Sequence, residues 1–182
     1  DETAVMDVKG IKVGLVGIYE LYDHLEREQQ LKDNIAKVKA DGAQLIVVIF
    51  HWGNETETVP DSNQTTLGRI AIDEGADLVC GHHPHVLQGI EYTEDGPIVY
   101  SLGDFWFNDE TKYTGLLNLE ITSEGLKQMS FTPCEQKDSQ TQYLNNAESQ
   151  RALFDHLQEI SPNITIDDTG VITELKDVDA ES

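Results

Sequence analysis

Ala43-Gln44-Leu45-Ile46-Val47-Val48-Ile49-Phe50-His51-Trp52-Gly53 is the stretch whose reading decides the fold. A run of apolar, largely β-branched residues passes directly into a histidine, as a buried strand does when it ends at a site. Asp77-Leu78-Val79-Cys80 repeats the pattern and runs into Gly81-His82-His83-Pro84-His85. Between the two runs, residues 63–75 have helical spacing, with Leu67, Ile70 and Ala71 inward and Gly75 as the stop. Strand–helix–strand units are almost always right-handed with parallel strands. Parallel strands put their carboxyl ends on one edge of the sheet, where α/β proteins build their sites. The order therefore predicts that His51 converges with His83 and His85.

The local spacing extends this. Pro84 fixes its own φ and pushes His83 toward extended geometry. In an extended segment residues i and i+2 face the same way. His83 and His85 are expected to point together and His82 to the opposite face. Three imidazoles on one edge suit a divalent transition metal such as Zn, Mn or Fe. The alternative is a set of polar loop residues or hydrogen-bonded core histidines.

Working outward, Ile11 to Gly17 has the character of a buried strand. Asp23 to Ala40 is a predicted helix, with Leu25, Leu31, Ile35 and Val38 inward and Gly42 as the stop. His24, near its start, is expected in solvent. Glu55 is either a solvated acid or a partner standing behind a histidine. Trp52 is expected to pack beneath the site, and Ser62 or Asn63 to cap the following helix. Val86 to Tyr92 and Pro97 to Ser101 flank Thr93-Glu94-Asp95-Gly96, a hairpin signal. Gly103 permits a tight backbone before three aromatics. Asp104 is either a metal-side carboxylate or a structural hydrogen-bonding group. Gly115 to Thr122 and Leu126 to Thr132 form a second predicted hairpin. Ala147 to Ile160 is an amphipathic helix with Ala152, Leu153, Leu157 and Ile160 inward and His156 exposed. The tail from Asp177 to Ser182 looks frayed or linker-like.

The 182 residues suffice for one domain with a sizeable core. A formal net charge of −22 argues against nucleic acid and against electrostatic attachment to an anionic membrane. The acidity serves solubility and also raises the local cation concentration. No run is long enough to span a bilayer, and no stretch has the form of a signal peptide. The chain begins without an initiator Met and is expected to be a piece of a longer precursor. Cys80 and Cys134 make no disulfide framework. Cys80 is expected to be a small buried residue, with a Cys80–Cys134 bridge left open.

Four motifs in linked order now carry a resemblance. His51-Trp52-Gly53-x-Glu55, Gly75-Ala76-Asp77-Leu78-Val79, Gly81-His82-His83-Pro84-His85-Val86-Leu87-Gln88 and Tyr100-Ser101-Leu102-Gly103-Asp104-Phe105 closely resemble the bacterial capsule-synthesis family CapA/PgsA, called PGA_cap after poly-γ-glutamate. That family is similar in turn to the calcineurin-like metallophosphoesterases. The resemblance is densest from Gly10 to Phe107. It implies an α/β fold, the C-terminal portion of a four-layer α/β/β/α sandwich with mixed sheets. Residues 1–140 would form the portion of that domain, and 141–182 a C-terminal helix and acidic tail.

The resemblance also implies a dinuclear metal site, whose later ligands match His51, His83 and His85. Glu55 and Asp104 are candidates to stand behind them. Asp104 departs from the Gly-Asn-Phe turn usual in the family. The early Asp-bearing and Asn-His motifs are absent, so this chain alone is expected to hold one transition metal weakly or none, and to be inactive. By resemblance the partners are capsule-synthesis membrane subunits. The location is the cell envelope, extracytoplasmic and membrane-anchored through sequence upstream of Asp1. Two functions follow: a component of capsule polymer assembly or handling, or a metal-dependent phosphoester hydrolase completed by the missing part.

Overall fold

The computed structural model describes residues 2–176. Its centre is the strand–helix–strand series seen in the sequence. β1 (Thr3–Val8) and β2 (Ile11–Tyr19) form a hairpin, and α1 (Glu28–Ala40) crosses to β3 (Leu45–His51). α2 (Ser62–Asp73) then crosses to β4 (Leu78–His82). β2, β3 and β4 are parallel neighbours, with Tyr19 opposite His51 and His51 opposite His82. The hairpin of β5 (Ile90–Tyr92) and β6 (Pro97–Val99) completes a six-stranded mixed sheet in the order β1-β2-β3-β4-β6-β5.

One face of this sheet is covered by α1 and α2. Leu31, Ile35 and Val38 on α1 and Leu67, Ala71 and Ile72 on α2 pack against Val16, Ile46, Val48, Phe50, Val79 and Ile98. Burying each large apolar side chain contributes about 1.5–3 kcal/mol relative to leaving it in water. Leu25 is not part of this stripe. Residues His24–Arg27 form a separate 3₁₀ turn, whose tighter winding leaves Leu25 exposed. The α2 cap is Asp61, not Ser62 or Asn63. Its carboxylate accepts from the Asn63 and Gln64 amides while the Gln64 side chain reaches back, a capping box.

The other face packs on a second, wholly antiparallel sheet. β7 (Lys112–Thr122) and β8 (Gly125–Lys137) form its long hairpin, and β9 (Gln140–Tyr143) pairs with the end of β8. After α3 (Ala147–Glu159), β10 (Ile164–Ile166) and β11 (Val171–Glu174) extend the sheet beside β8. Met129, Phe131, Ile164, Ile166 and Ile172 share a core with Val13, Leu45, Val47, Leu78 and Val99 of the first sheet. α3 adds Leu153, Phe154 and Leu157 to that core, while Ala152 is exposed and Phe154 takes its place.

β1, β9, β10 and β11 are absent from the sequence reading. Each is six residues or fewer, and its pairing partner is what defines it. Cys80 and Cys134 lie on different sheets as free, buried thiols, so no bridge joins them. Burial pushes the Cys80 thiol up to about 12, which makes it inert near neutrality. The tail expected to fray, from Asp177 onward, lies outside the described residues.

Candidate metal centre at the histidine edge

The parallel strands bring the histidines to one edge. The rings of His51 and His83 lie 4.7 Å apart between centroids, and those of His83 and His85 lie 5.6 Å apart. The backbone reaches this arrangement differently from the extended segment expected. His83 has φ 102° and His85 φ 61°, so two non-glycine residues flanking Pro84 sit at positive φ. Such conformations cost about 1–3 kcal/mol each and persist where the surroundings impose them. Here the preceding strand and the Thr56 amide, which donates to the Pro84 carbonyl at 2.8 Å, hold the turn. His82, as register partner of His51, shares its sheet face, with Nε2 4.0 Å from Cys80 Sγ.

The set of donor atoms lying within 4.8 Å of one another is Glu55, His83 and His85. His51 lies against His83 and stacks on Tyr19 at 5.3 Å, but it is outside that set. Glu55 arrives through the turn after His51. Gly53 sits at φ 79°, and a Cβ there would meet the Gln64 amide at 2.6 Å. Gln64 in turn donates to Gln88, and Gln88 donates to the Glu57 carbonyl. This buried amide pair ties α2 and the histidine turn to the loop carrying Glu55.

Asp104 stands behind His85. One carboxylate oxygen is 2.6 Å from His85 Nδ1, and the other accepts from Lys112 Nζ at 3.1 Å. Asp104 is only 6% exposed. A carboxylate on one imidazole nitrogen fixes the tautomer and leaves the other nitrogen to a cation. Gly103, at φ 68°, makes the approach, since a Cβ there would meet the Tyr113 carbonyl at 3.0 Å. Asp104→Ala is expected to weaken cation binding roughly 10–100-fold, measured by calorimetric titration. Asp104→Asn, which keeps an acceptor for His85, is expected to lose less.

Glu20 is a site neighbour that the sequence reading missed. It directly follows β2, is 1% exposed, and its side chain accepts from His24 Nδ1 at 2.7 Å. Its backbone amide donates to the His51 carbonyl. His24 is therefore held by a buried carboxylate rather than simply solvated. The available signal was position: Glu20 directly follows Tyr19, the last residue of β2 and the register partner of His51.

The donor chemistry fits a transition metal. Burial, then the neighbouring imidazoles, holds His51 below its ordinary value; burial lowers His82; burial and His85 lower His83. Neutral imidazoles are the form that ligates. These shifts also predict a pH dependence. An unfolded histidine takes up its proton as pH falls below 6.5, before the folded one does. Stability present above that value is therefore lost as pH falls through the depressed values. His24, raised mainly by its Glu20 hydrogen bond, acts in the opposite sense but is exposed. Thermal scans in chelator from neutrality to about pH 5 are expected to show a falling Tm. A flat profile would contradict the burial of the cluster.

Fold and edge together define a class: α/β proteins of two packed sheets that gather imidazoles and a carboxylate at the ends of parallel strands. Within it, this chain belongs to the family described as bacterial capsule synthesis protein PGA_cap, whose model matches residues 1–109. The chain is 38% identical over 98 residues to the capsule biosynthesis protein CapA of Bacillus anthracis, covering 52% of this chain and 24% of that protein. It is 38% identical over 96 residues to the PGA biosynthesis protein CapA of Bacillus subtilis (strain 168), covering 51% and 25%. The match thus spans about a quarter of the length of these curated relatives. A hypothetical protein of Thermus thermophilus, of known crystal structure, superposes with a TM-score of 0.55 at 12% identity, over 74% of this chain and 62% of that one. That likeness concerns the fold alone. Among the described residues, no helix is long and apolar enough to cross a membrane.

Proposed function

We propose that the polypeptide containing this chain acts in making a poly-γ-glutamate-type capsule at the cell envelope, and that its histidine edge holds a divalent transition metal for that work. The convergence of Glu55, His83 and His85 within 4.8 Å carries the metal reading. Family membership and the CapA relatives support the capsule context. A bound Zn, Mn or Fe ion would supply a Lewis acid for an anionic oxygen. His83, His85 and Glu55 would hold it, and Asp104 with Lys112 would orient His85.

The chain's own charge shapes how it meets a polymer. With 12 Lys and Arg against 34 Asp and Glu, it lacks the basic track needed to grip polyglutamate broadly. Contact with the polymer is therefore local, through the metal or through capsule-synthesis membrane subunits. In this reading the protein works on the extracytoplasmic side, anchored by sequence outside these residues.

A second reading, metal-dependent phosphoester hydrolysis, is favoured by the Asp104–His85 pair, an arrangement that tunes ligands in metal sites generally. The full-length polypeptide tests both. Glu55→Gln and His83→Ala introduced into a capsulated strain are expected to reduce capsule polymer severely. Wild-type capsule from both variants would sink the metal reading. Release of phosphate from a monoester, or of the alcohol from a diester, with added Mn or Zn and lost in both variants, would select the hydrolase.

A further inference from the structure

The strand ends carry more rings than the donor set uses. Because β2, β3 and β4 are parallel neighbours, the residues at their carboxyl ends fall in a row across the sheet, with Tyr19 opposite His51. Tyr22 lies 5.9 Å from Tyr19 between ring centroids, and Tyr19 stacks on His51 at 5.3 Å. His51 meets His83, His83 meets His85, and Phe107 continues the row at 4.4 Å from His85. Six rings thus run along the edge, with the Glu55–His83–His85 group among them and aromatic residues on both flanks. The flanking rings are open: Tyr22 is 80% exposed, Phe107 63% and its neighbour Trp106 71%.

Large apolar side chains left together in water mark a surface that takes a ligand or a partner. The fold holds these in place. Gln136 of β8 is fully buried, and its side-chain amide accepts from the Phe107 backbone amide at 2.6 Å. The same amide donates to the Asn108 side chain and to the Glu110 carbonyl. The Trp106 indole N–H donates to the Ser139 carbonyl at 2.8 Å, and the Thr141 hydroxyl donates to the Phe105 carbonyl. The indole is therefore pinned at one edge while most of its surface meets solvent. A pinned ring loses little conformational freedom when a flat group stacks on it. The cations beside the row are already engaged, Lys112 with Asp104 and Glu110, and Arg27 with Asp23.

We propose that this row is a binding track for an extended γ-linked glutamate chain laid across the strand ends. One carboxylate of the chain meets the metal. Its methylenes and amide planes lie on Tyr19 and Tyr22 to one side and on Phe107 and Trp106 to the other. The proposal rests on the capsule reading above and adds the surface that touches the uncharged parts of the polymer. Rings on both flanks suit a chain, whereas a compact molecule would use one flank. Stacking on amides and methylenes needs no countercharge, so it serves an anionic polymer on a protein of formal net charge −22. The sign of the salt dependence follows. Polymer and protein repel each other, salt screens that repulsion, and the ring contacts persist.

Calorimetric titration of the Zn-loaded full-length polypeptide with a γ-linked glutamate oligomer tests it. Trp106→Ala and Tyr22→Ala, one on each flank, are each expected to weaken binding about three- to ten-fold. Trp106→Phe keeps a ring and is expected to stay within about two-fold. Zn affinity is expected to be the same in all three. Raising NaCl from about 0.05 to about 0.5 M is expected to leave oligomer affinity level or higher. A wild type that does not bind the oligomer overturns the proposal, as does binding untouched by either alanine variant. Loss confined to one flank assigns the rings to a compact ligand and overturns it. Loss that tracks a loss of Zn affinity reduces the rings to supports for His85. Affinity that falls with salt, or a nucleoside monophosphate held more tightly by the same rings, also overturns it. In a capsulated strain, capsule lost with Glu55→Gln but kept with Trp106→Ala and Tyr22→Ala combined defeats the track and leaves the capsule reading standing.

Discussion

Calorimetric titration of the chain with Zn at neutral pH is expected to give one weak site, and His83→Ala to abolish it within the measurable range. His83 is the member of the donor set that touches both other histidine rings, and it lies with Glu55 and His85 inside 4.8 Å. Loss of a ligand should exceed the roughly 10–100-fold cost of losing a residue behind one. Glu55→Gln removes the only carboxylate in the set and should cost nearly as much. His51→Ala should cost less, because His51 stacks beside the set rather than within it. Two ions need a bridging carboxylate besides the ligands each holds for itself, and among the described residues the donor set has one carboxylate and two imidazoles in all. Two tight sites, or binding indifferent to His83, would refute this geometry. Loss with His51→Ala equal to that with His83→Ala would restore the three-histidine set read from the sequence.

The second large effect is expected beneath the site. Gly81 faces the Tyr100 carbonyl and the Trp52 indole, where an added Cβ would lie 2.1 Å from the one and 2.2 Å from the other. Trp52 is fully buried, stacks on Phe50 at 4.1 Å and donates to the Tyr100 carbonyl at 2.9 Å. Neither neighbour can yield without moving the chain at the end of β6 or the turn after His51. Gly81→Ala is expected to destabilise by about 3 kcal/mol, at the upper end of overpacking costs. Trp52→Ala, which leaves a large cavity, is expected to cost about 3–5 kcal/mol. Urea unfolding monitored by far-UV circular dichroism measures both. Gly10→Ala serves as the comparison, since a Cβ there meets nothing within 4 Å and only the φ of 90° opposes it. Its cost is expected near about 1 kcal/mol. Equal midpoints for the two glycine variants would mean that Trp52 is not clamped against Gly81.

Much of the scaffold was legible because its signals are local. Apolar runs ending in histidine marked β3 and β4, helical spacing marked α2, and the handedness of strand–helix–strand units brought His51 and His83 to one edge. The turn joining His83 to His85 was not legible in the same way. Pro84 favours an extended residue before it, yet His83 stands at φ 102°, because the strand end and the Thr56 amide outweigh that local preference. Glu55 was visible as an acid four residues after His51, but not as part of the donor set. Its place depends on the positive φ of Gly53 and on the Gln64–Gln88 pair, whose members are 24 residues apart.

Asp104 left two roles open in the sequence, and its 2.6 Å approach to His85 exists only once β4 and the Gly103 turn are packed together. Glu20 became a site neighbour only through the pairing of β2 with β3. The short strands β1, β10 and β11 exist because paired strands complete their hydrogen bonds, β2 across a tight hairpin for β1 and the distant β8 for β11. By itself, then, the sequence determined which residues form the central parallel strands, which edge gathers the histidines and which family the motifs resemble. All of these rest on periodicity, strand ends and short linked motifs. Tertiary structure alone decided which carboxylate joins the imidazoles and how the His83–Pro84–His85 turn bends, because each depends on contacts between residues far apart in the chain.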